Sequence, residues 1–506
     1  MRRAVVIGAG FGGLAAAVRL RVMGWEVTVL EALDQPGGRA RVFQRDGFTF
    51  DAGPTVITAP HLIAELFALA GRDPRDYYSL VPVDPFYRIL FHDGSALDYS
   101  GDEERLLAQI ARFDERDVDG YRRLAKMSEK IFETGFTKLA HQPFGNFSDM
   151  LRVLPAMLRL KSYRSVHGLV SRYIRDPRLR QAFTFEPLLV GGNPFRTPSI
   201  YLLIHWLERK WGVHFAMGGT TSVVNALVQL LLELGVEVRL NTPVEEIVVE
   251  HGRAVAVTTA DGSRLPADLV VSNADPSWVY SRMIAPSPGR RHTPRSVSRV
   301  RQSMSLFVGY FGTRRTYPEI AHHTILLGPR YEGLLDDIFD ARPLADDFSL
   351  YLHAPTRTDP SLAPPGCETF YALSPVPNLR AGIDWEREGE PYFARIRESL
   401  ERRLLPGLEA SLATSFQMTP LDFEQTLRSV DGAAFGPEPV LTQSAWFRYH
   451  NRSRDVEGLY FVGAGTHPGG GIPGVLSSAK VLARVVPRPV GARAPISPRA
   501  RHAVPV

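Results

Sequence analysis

A glycine-rich turn near the start of the chain places the strongest limit on its fold. Residues 8–13 read GAGFGG and fit the pattern G-x-G-x-x-G, between a β-branched run at 4–7 and an apolar helical pattern at 14–23. A second short strand is predicted at 27–30. A glycine turn in this strand–helix–strand setting favours a nucleotide-binding α/β fold in which the helix N-terminus faces a pyrophosphate.

The residues of this turn have separate predicted roles. Gly8 permits the tight turn, Gly10 lets backbone amides approach a pyrophosphate, and Gly13 allows close packing of helix on sheet. Glu31 follows the second strand, where a carboxylate accepts hydrogen bonds from a ribose hydroxyl. This unit alone does not separate NAD from FAD as the cofactor.

Two further segments favour FAD. Residues 34–39 read DQPGGR, in which Gly38 lets the backbone approach an extended dinucleotide and Arg39 pairs with phosphate or lies beside the flavin. Residues 51–55 read DAGPT and offer small residues where the backbone passes a planar ring, namely Gly53, Pro54 and Thr55. Val244 is assigned to the same cofactor site.

A second glycine-rich loop lies near the other end of the chain. Residues 463–475 read GAGTHPGGGIPGV and contain six glycines, which suits a large flat ligand. Peptide N–H groups and a helix starting at Val475 would face the pyrimidine edge of a reduced flavin. The residues of this loop assigned to the cofactor site are therefore Gly463, Gly465, Gly474 and Val475. His467 is interpreted as a structural hydrogen bonder in preference to a general acid.

Composition excludes several classes of protein. No run of eighteen apolar residues occurs, so no membrane-spanning helix is predicted. The single cysteine, Cys367, excludes an internal disulfide and a cysteine-built zinc site, and no metal is expected. The net charge is +5, and residues 488–506 contribute four arginines and no acidic residue to it. A nucleic-acid partner is therefore not expected, but a flexible basic tail adds weak attraction to anionic lipid.

The length of 506 residues exceeds what one hydrophobic core supports, so at least two lobes are predicted. Strand-like runs at 86–91, 304–311, 349–352 and 370–373 indicate a second sheet. The predicted fold is α/β, with a Rossmann-like FAD-binding lobe, a mixed-sheet substrate lobe and a helical cap. The bounds are 1–85, 212–280 and 445–486 for the FAD-binding domain, 86–130 and 281–444 for the substrate domain, 131–211 for the cap and 487–506 for a disordered basic tail.

Several longer motifs carry a family resemblance. From residue 1 to about 485, the chain resembles the bacterial and fungal phytoene desaturases, which are FAD-dependent carotenoid desaturases within the flavin amine oxidase-like superfamily. The motifs are GAGFGGLA at 8–15, QPGGRA at 35–40, GFTFDAGPTVIT at 47–58, LLVGGNPF at 188–195, AWFRYHNRSR at 445–454 and GLYFVGAGTHPGGGIPGV at 458–475.

This resemblance implies desaturation of 15-cis-phytoene to neurosporene or lycopene, by hydride transfer to flavin and reoxidation by quinone or oxygen. It assigns the acid–base pair to Asp149 and Arg152. Because an allylic C–H is too weak an acid to lose its proton first, hydride loss must lead. The aromatic faces expected to stabilise the resulting cation are those of Phe195, Tyr201, Trp206 or Trp211.

The substrate implied by the resemblance is dissolved in a membrane. A lipid-dissolved hydrocarbon gains little from entering an apolar tunnel, so the enzyme needs shape matching and a mouth at the bilayer surface. The basic and apolar helices of residues 147–183 are the candidate for this membrane-facing cap, with an intramolecular cap as the alternative. The expected location is peripheral, on the cytoplasmic face of the membrane.

Other functions remain open at this level. They are a related carotenoid desaturase on hydroxylated or C30 substrates, a carotenoid isomerase or ketolase, an amine oxidase, and a flavin-free lipid-escort protein of the Rab GDP dissociation inhibitor kind. The intact glycine set at 8–13 argues against the last of these. The number of desaturation steps, the electron acceptor and the oligomeric state are not set by the sequence.

Overall fold

The structure, a computed structural model, describes residues 2–489. Its strands, in chain order, are β1 (Arg3–Ile7), β2 (Glu26–Leu30), β3 (Val42–Arg45), β4 (Phe48–Asp51), β5 (Leu80–Pro82), β6 (Tyr87–Leu90), β7 (Ala96–Tyr99), β8 (His214–Ala216), β9 (Glu237–Arg239), β10 (Val244–Glu250), β11 (Arg253–Thr259), β12 (Arg264–Pro266), β13 (Leu269–Ser272), β14 (Ser305–Thr313), β15 (His323–Leu326), β16 (Leu350–His353), β17 (Glu368–Val376), β18 (Leu412–Met418) and β19 (Leu459–Phe461).

The α-helices of the same residues are α1 (Phe11–Val22), α2 (Pro60–Leu69), α3 (Glu103–Phe113), α4 (Arg116–Phe132), α5 (Phe147–Arg159), α6 (Val166–Val170), α7 (Pro177–Ala182), α8 (Leu203–Trp211), α9 (Thr220–Glu233), α10 (Pro276–Trp278), α11 (Pro294–Val297), α12 (Tyr331–Phe339), α13 (Trp385–Arg403), α14 (Leu408–Ser411), α15 (Pro420–Gln425) and α16 (Ile472–Val485).

A five-stranded parallel sheet, in the order β19-β13-β1-β2-β9, forms the first lobe. Its strands come from three separated stretches of the chain, as the sequence predicted. Helix α1 packs against α16 and α9, and the three-stranded antiparallel sheet β10-β11-β12 lies beside β13. The mixed α/β fold with a Rossmann-like lobe is confirmed.

Both glycine turns run directly into their helices, which therefore start earlier than predicted. Helix α1 begins at Phe11 because Gly12 and Gly13 are already helical. Helix α16 begins at Ile472, with Pro473 in its first turn, where proline's fixed backbone angle suits a helix and its missing N–H removes no bond. Each helix N-terminus thus lies closer to the glycine loop that precedes it.

A seven-stranded sheet, in the order β18-β14-β17-β16-β15-β6-β7, forms the second lobe. Only the β15–β6 pair is parallel among its neighbours, so the sheet is mixed. Strand β14 is buried along its whole length, between β17 and β18. The strand-like runs predicted at 86–91, 304–311, 349–352 and 370–373 correspond to β6, β14, β16 and β17.

The segment from 131 to 211 is mainly helical and includes α5 to α8. Among residues 2–489, no helix combines the length and apolar character that a membrane crossing requires. The domain bounds themselves stay a prediction. Most of the predicted basic tail, residues 490–506, lies outside the described residues.

Candidate active site

A cavity of about 540 Å³ is bordered by both lobes and by the helical segment. At one end it is lined by the carboxyl ends of β1 and β2, where Ile7 and Leu30 lie. Further along, residues of the seven-stranded sheet such as Val308 and Leu373 line it, and Met157 of α5 contributes from the helical segment. The cavity is thus continuous from the glycine turn into a mainly apolar space.

Most of the sequence-predicted cofactor residues line this cavity although they lie far apart in the chain. They are Gly8, Gly10, Glu31, Gly38, Arg39, Gly53, Pro54, Thr55, Val244, Gly463, Gly474 and Val475. The parallel strand order explains this convergence, because β1, β2, β13 and β19 all end at the same edge of the sheet.

Gly13 and Gly465 do not line the cavity. A Cβ at Gly13 would overlap the carbonyl oxygen of Gly8, so this glycine allows α1 to pack closely on the turn, as its predicted role requires. A Cβ at Gly465 would overlap the ring of Pro276. Glycine at 465 is therefore required for packing against Pro276, and its assignment to cofactor contact stays a prediction.

Glu31 is 6% exposed and lies at the nucleotide end of the cavity. The Ala9 N–H donates to its Oε2 (2.6 Å), and the Leu33 N–H donates to its Oε1 (3.0 Å). Burial raises the pKa of Glu31, and these backbone hydrogen bonds partly offset the rise. The carboxylate is held rigidly, with lone pairs left for a ribose hydroxyl.

Arg39 and Arg41 bring unpaired cationic donors to the same end. The Nε atoms of both side chains are buried and have no hydrogen-bond partner in the described residues. The Nη2 of Arg39 donates to Ser429 Oγ (2.7 Å), which fixes the guanidinium. Buried unpaired donors are costly, and together with the N-terminus of α1 they fit the diphosphate of a dinucleotide.

Thr55 joins the cofactor end of the cavity to the second lobe. Its Oγ1 lies 3.0 Å from the Tyr351 hydroxyl and 2.9 Å from the Tyr371 hydroxyl. The Tyr371 hydroxyl also donates a hydrogen bond to the carbonyl of Gly53 (3.1 Å). This network holds the small residues of 53–55 at the boundary between the two lobes.

The C-terminal glycine loop is held by the preceding motif at 445–454, a role that sequence reasoning missed. The Arg448 guanidinium donates to the carbonyls of Thr466 (3.2 Å) and Ala464 (2.7 Å). The Asn451 amide donates to the carbonyl of His467 (2.9 Å). The arginine and asparagine of AWFRYHNRSR therefore shape the loop instead of contacting the cavity.

Asp149 and Arg152, the pair implied by the resemblance, do not line the cavity. Asp149 Oδ2 accepts the Asn146 N–H (3.0 Å) and forms part of the capping box of α5. The Arg152 side chain is 77% exposed, and its Nη1 lies 3.4 Å from Asp149 Oδ1. Residues on the other face of α5, Met150 and Val153, reach the cavity instead.

The aromatic residues expected to stabilise a cation are also placed differently. Of the four, only Tyr201 lines the cavity. Phe195 packs against His167 and Tyr331, and Trp211 packs against His61. Helical spacing alone could not show which face of these segments points inward.

His467 lines the cavity and is 6% exposed. Burial lowers its pKa to about 3, so its imidazole is neutral and weakly basic at neutral pH. Its ring lies 4.9 Å from that of Phe144, in an edge-on arrangement. Neither ring nitrogen has a hydrogen-bond partner among the described residues, so this environment favours a packing role over both the structural hydrogen bonder and the general acid considered from sequence.

Glu208 of α8 was not identified from the sequence. It is fully buried, and it and Glu31 are the two acidic residues that line the cavity among the described residues. The surrounding sequence, LERKWGV, has the pattern of an ordinary amphipathic helix. Only the packing of α8 against α4 and the hydrogen bond from Tyr87 of β6 reveal a carboxyl group in this position.

A group of three buried histidines lies behind the cavity wall, although no metal site was expected. The ring nitrogens of His322, His323 and His353 lie within 4.8 Å of one another. His323 Nδ1 lies 2.6 Å from the Tyr351 hydroxyl, and His322 Nδ1 lies 2.6 Å from Thr358 Oγ1. His323 therefore joins the polar network around Thr55 through Tyr351, whereas neither ring nitrogen of His353 has a hydrogen-bond partner among the described residues.

Comparison with known proteins agrees with this geometry. The sequence profile of the family "flavin containing amine oxidoreductase" matches residues 11–487. A lycopene-forming phytoene desaturase of Pseudescherichia vulneris is 53% identical, over 96% of this chain and 99% of that protein. A neurosporene-forming phytoene desaturase of Rhodobacter capsulatus is 44% identical, over 96% of this chain and 94% of that protein.

The fold also matches a solved structure at low sequence identity. An oxidoreductase of Methanosarcina mazei superimposes with a TM-score of 0.65 at 18% identity, over 95% of this chain and all of that one. The profile match spans nearly the whole chain, and the sequence relatives cover it at far above 30% identity. The chain therefore belongs to the flavin-containing amine oxidoreductases and, within them, to the phytoene desaturases.

Proposed function

We propose that this protein uses FAD to desaturate 15-cis-phytoene. The observation that carries the proposal is the single cavity that joins a dinucleotide-type end, at Glu31 and Arg39, to an apolar space reaching Met157. The phytoene desaturase relatives support the substrate, and the lycopene-forming relative is more similar than the neurosporene-forming one. We therefore favour lycopene over neurosporene as the end product.

The donors and acceptors of the cavity fit FAD. Glu31 would hold the ribose, and the N-terminus of α1 with Arg39 and Arg41 would hold the diphosphate. The second helix N-terminus, at the start of α16, has no acidic residue in its first turn and borders the cavity through Gly471 and Ile472. Bound FAD supplies a flavin ring that accepts a hydride.

The residues of the apolar space position the substrate and exclude water. Leu306, Val308, Ile325 and Leu350 offer no polar side chain to a hydrocarbon. Holding an allylic carbon at a fixed distance in a dry site is the main contribution that such a wall makes to rate. Selectivity then depends on the shape of the cavity, because a lipid-dissolved substrate gains little hydrophobic energy on entry.

Helix α5 supports a substrate mouth at a membrane surface. Its exposed apolar residues are Phe147 (50% exposed), Leu151 (55%), Leu154 (43%) and Leu158 (55%). Beside them, Phe147 packs against Trp446, with ring centroids 5.2 Å apart, and Phe447 is 47% exposed. Exposed apolar residues clustered in this way are typical of an interaction surface. The exposed Arg152 and Arg159 on the same helix suit anionic headgroups.

These features support a peripheral location at a membrane surface, where phytoene dissolves, and we propose that this surface is the cytoplasmic face. The described residues offer no membrane-spanning helix, so attachment would rest on the apolar surface of α5 and on electrostatic attraction. Quinone or oxygen would then reoxidise the flavin. A quinone would reach the protein from the same lipid phase as the substrate.

Anaerobic turnover of purified protein with phytoene in liposomes tests the proposal. We expect the flavin to be reduced and coloured carotenoids to accumulate when quinone is added, with lycopene as the main pigment by chromatography. Mass analysis of the released flavin identifies FAD. Failure to convert phytoene, together with conversion of an amine or of a C30 polyene, would replace this proposal with one of the alternative activities.

A further inference from the structure

The apolar part of the cavity contains one carboxyl group that the mechanism so far does not use. Both acidic residues that line the cavity in the described part of the chain are buried, but they lie in different surroundings. The oxygens of Glu31 each accept a backbone N–H at the dinucleotide end. Glu208 lies instead among Ile204 and Leu207 of α8.

One oxygen of Glu208 is held and the other is free. The Tyr87 hydroxyl donates to Glu208 Oε1 (2.7 Å). Glu208 Oε2 is buried and has no hydrogen-bond partner among the described residues. An unpaired buried carboxyl oxygen is costly unless it has a ligand or a function. Tyr87 thus fixes one oxygen of Glu208 and leaves the other without a protein partner at the cavity wall.

The backbone ties Glu208 to the segment predicted to lie beside the flavin. Helix α8 leads into β8, where His214 exchanges backbone hydrogen bonds with Ile57 (3.2 and 2.8 Å). Ile57 lies two residues after Thr55, which lines the same cavity. The carboxyl group is therefore built on rigid elements that also position the cofactor segment.

The groups around Glu208 control its charge. Burial raises the pKa of Glu208, the neighbouring Glu186 carboxyl raises it further, and the Tyr87 hydrogen bond lowers it. Glu186 is itself buried, with its Oε1 3.2 Å from His205 Nδ1. Burial lowers the pKa of His205 to about 3, so this imidazole is neutral.

The outer members of this group come from neighbouring elements. The Tyr99 hydroxyl lies 3.0 Å from His205 Nδ1, and the Tyr121 hydroxyl lies 3.3 Å from Nε2. Arg209 is the nearby cation, with a side chain that is 9% exposed. The cation approaches Tyr121 (5.7 Å from the ring centroid) and makes no ion pair with Glu208.

We propose that Glu208 accepts the proton that the substrate loses during desaturation. This inference rests on the proposed function. One allylic C–H bond breaks, and its hydrogen leaves with both bonding electrons as hydride, which FAD, when bound, would accept. A C–H bond on the neighbouring carbon then breaks, its proton goes to the Glu208 carboxylate, and its electron pair forms the new C=C bond. FAD is the oxidant, so atoms and electrons balance.

The other candidate bases fit this step less well. Asp149 caps α5 and does not line the cavity. His467 lines the cavity, but burial lowers its pKa to about 3 and makes it a weak proton acceptor. Because a carboxylate with a raised pKa is the stronger base, Glu208 matches the task once it is ionised.

The variant Glu208→Gln keeps the size of the side chain and removes the base. We expect turnover of phytoene in liposomes to fall about 100-fold or more, which is the usual contribution of a positioned base. Its FAD content and melting temperature should stay close to those of the unmodified protein. If E208Q binds FAD and converts phytoene as fast as the unmodified protein, the proposal is overturned.

Two neighbouring variants give a signature that a merely structural role would not produce. Turnover should rise with pH as Glu208 ionises. Glu186→Gln removes a carboxyl that raises the pKa of Glu208, so the rise should move to lower pH. Tyr87→Phe removes a hydrogen bond that lowers the pKa of Glu208, so the rise in turnover should move to higher pH. Shifts in one common direction, or no shifts, contradict the proposal.

An infrared titration without substrate provides a second readout. The band of protonated carboxyl groups in FAD-loaded protein should lose a component in E208Q, and its midpoint should shift in opposite directions in E186Q and Y87F. If E208Q does not fold, these two variants still decide the question. If the unmodified protein fails to convert phytoene while the infrared shifts occur as expected, the proposed function fails and the ionisation of Glu208 stands.

Discussion

Met150 and Leu151 are adjacent in α5 and have opposite surroundings, since Met150 lines the cavity and Leu151 is 55% exposed. The same alternation continues along the helix, where Val153 lines the cavity and Leu154 is 43% exposed. Along α5, the wall between the substrate space and the outside is thus one helix thick. A hydrocarbon would need to pass only this one layer.

The exposed leucines of α5 give the first prediction. The double variant Leu151→Asp, Leu158→Asp should bind anionic liposomes at least tenfold less tightly, because each leucine contributes about 1.5–3 kcal/mol when it enters an apolar phase. Liposome flotation measures the bound fraction. Leu232→Asp is the matched control, since Leu232 is 58% exposed on α9. Equal binding by the double variant and the control would exclude α5 as the membrane contact.

Arg39 gives a prediction about the cofactor. Arg39→Ala should weaken FAD binding about 10- to 100-fold, because a hydrogen bond to a charged group contributes about 1.5–3 kcal/mol. The ratio of flavin to protein after dialysis, and titration of the apoprotein with FAD, measure the effect. Arg45→Ala is the control, since the Arg45 side chain is 53% exposed. A normal flavin ratio in Arg39→Ala would mean that the diphosphate lies elsewhere.

A variant of Asp149 tests whether this residue acts as a helix cap or takes part in the chemistry. Asp149→Ala should lower the free energy of unfolding by about 0.5–2 kcal/mol, as the loss of a helix cap does. We expect its loss of turnover to be much smaller than that of E208Q. Asp119→Ala, which removes a similar pair with Arg122 on α4, is the control. If Asp149→Ala lost turnover to the same extent as E208Q while its stability and FAD content were unaffected, the role implied by the family resemblance would be correct.

Asp51 gives a pH-dependent prediction. Burial raises its pKa from an ordinary 3.8 to about 7, so its ionisation opposes folding. Its contribution to stability is complete below pH 3.8 and is lost as the pH rises to about 7, a difference of about 4 kcal/mol. Asp51→Asn retains an acceptor for the Thr220 N–H (2.8 Å) and should remove this loss.

Melting temperatures measured between pH 4 and 8 test the Asp51 prediction. The unmodified protein should lose stability relative to Asp51→Asn across this range, with the difference growing up to about pH 7. Asp46→Asn is the control, because the Asp46 side chain is 63% exposed. Parallel curves for the unmodified protein and Asp51→Asn would show that Asp51 does not titrate in this window.

The sequence predicted the cofactor half of the molecule well because its motifs report backbone geometry. The glycines at 8–13 and 463–474 and the carboxylate of Glu31 have roles that follow from a strand, a turn and a helix in sequence. Gly465 differs from them because it does not line the cavity. Its requirement comes from Pro276, which is distant in the chain and which no local pattern could indicate.

The substrate half was much less accessible to sequence reasoning. Met150, Val153 and Glu208 line the cavity because α5 and α8 turn particular faces inward, and helical periodicity does not say which face meets which lobe. Trp211 was misplaced for the same reason. The chemical role of Asp149 and Arg152 was implied by the family resemblance and stays a prediction. The structure adds that Asp149 forms a capping box with Asn146, which the sequence analysis did not identify.

The assembly of the parallel sheet from three stretches of the chain has a consequence during protein synthesis. The flavin site needs both the turn after β1 and the loop between β19 and α16, and within residues 2–489 β19 joins the sheet through β13 alone. A nascent chain on the ribosome therefore lacks a complete flavin pocket until the residues around 475 have emerged. We therefore expect flavin uptake to follow synthesis of the chain up to these residues.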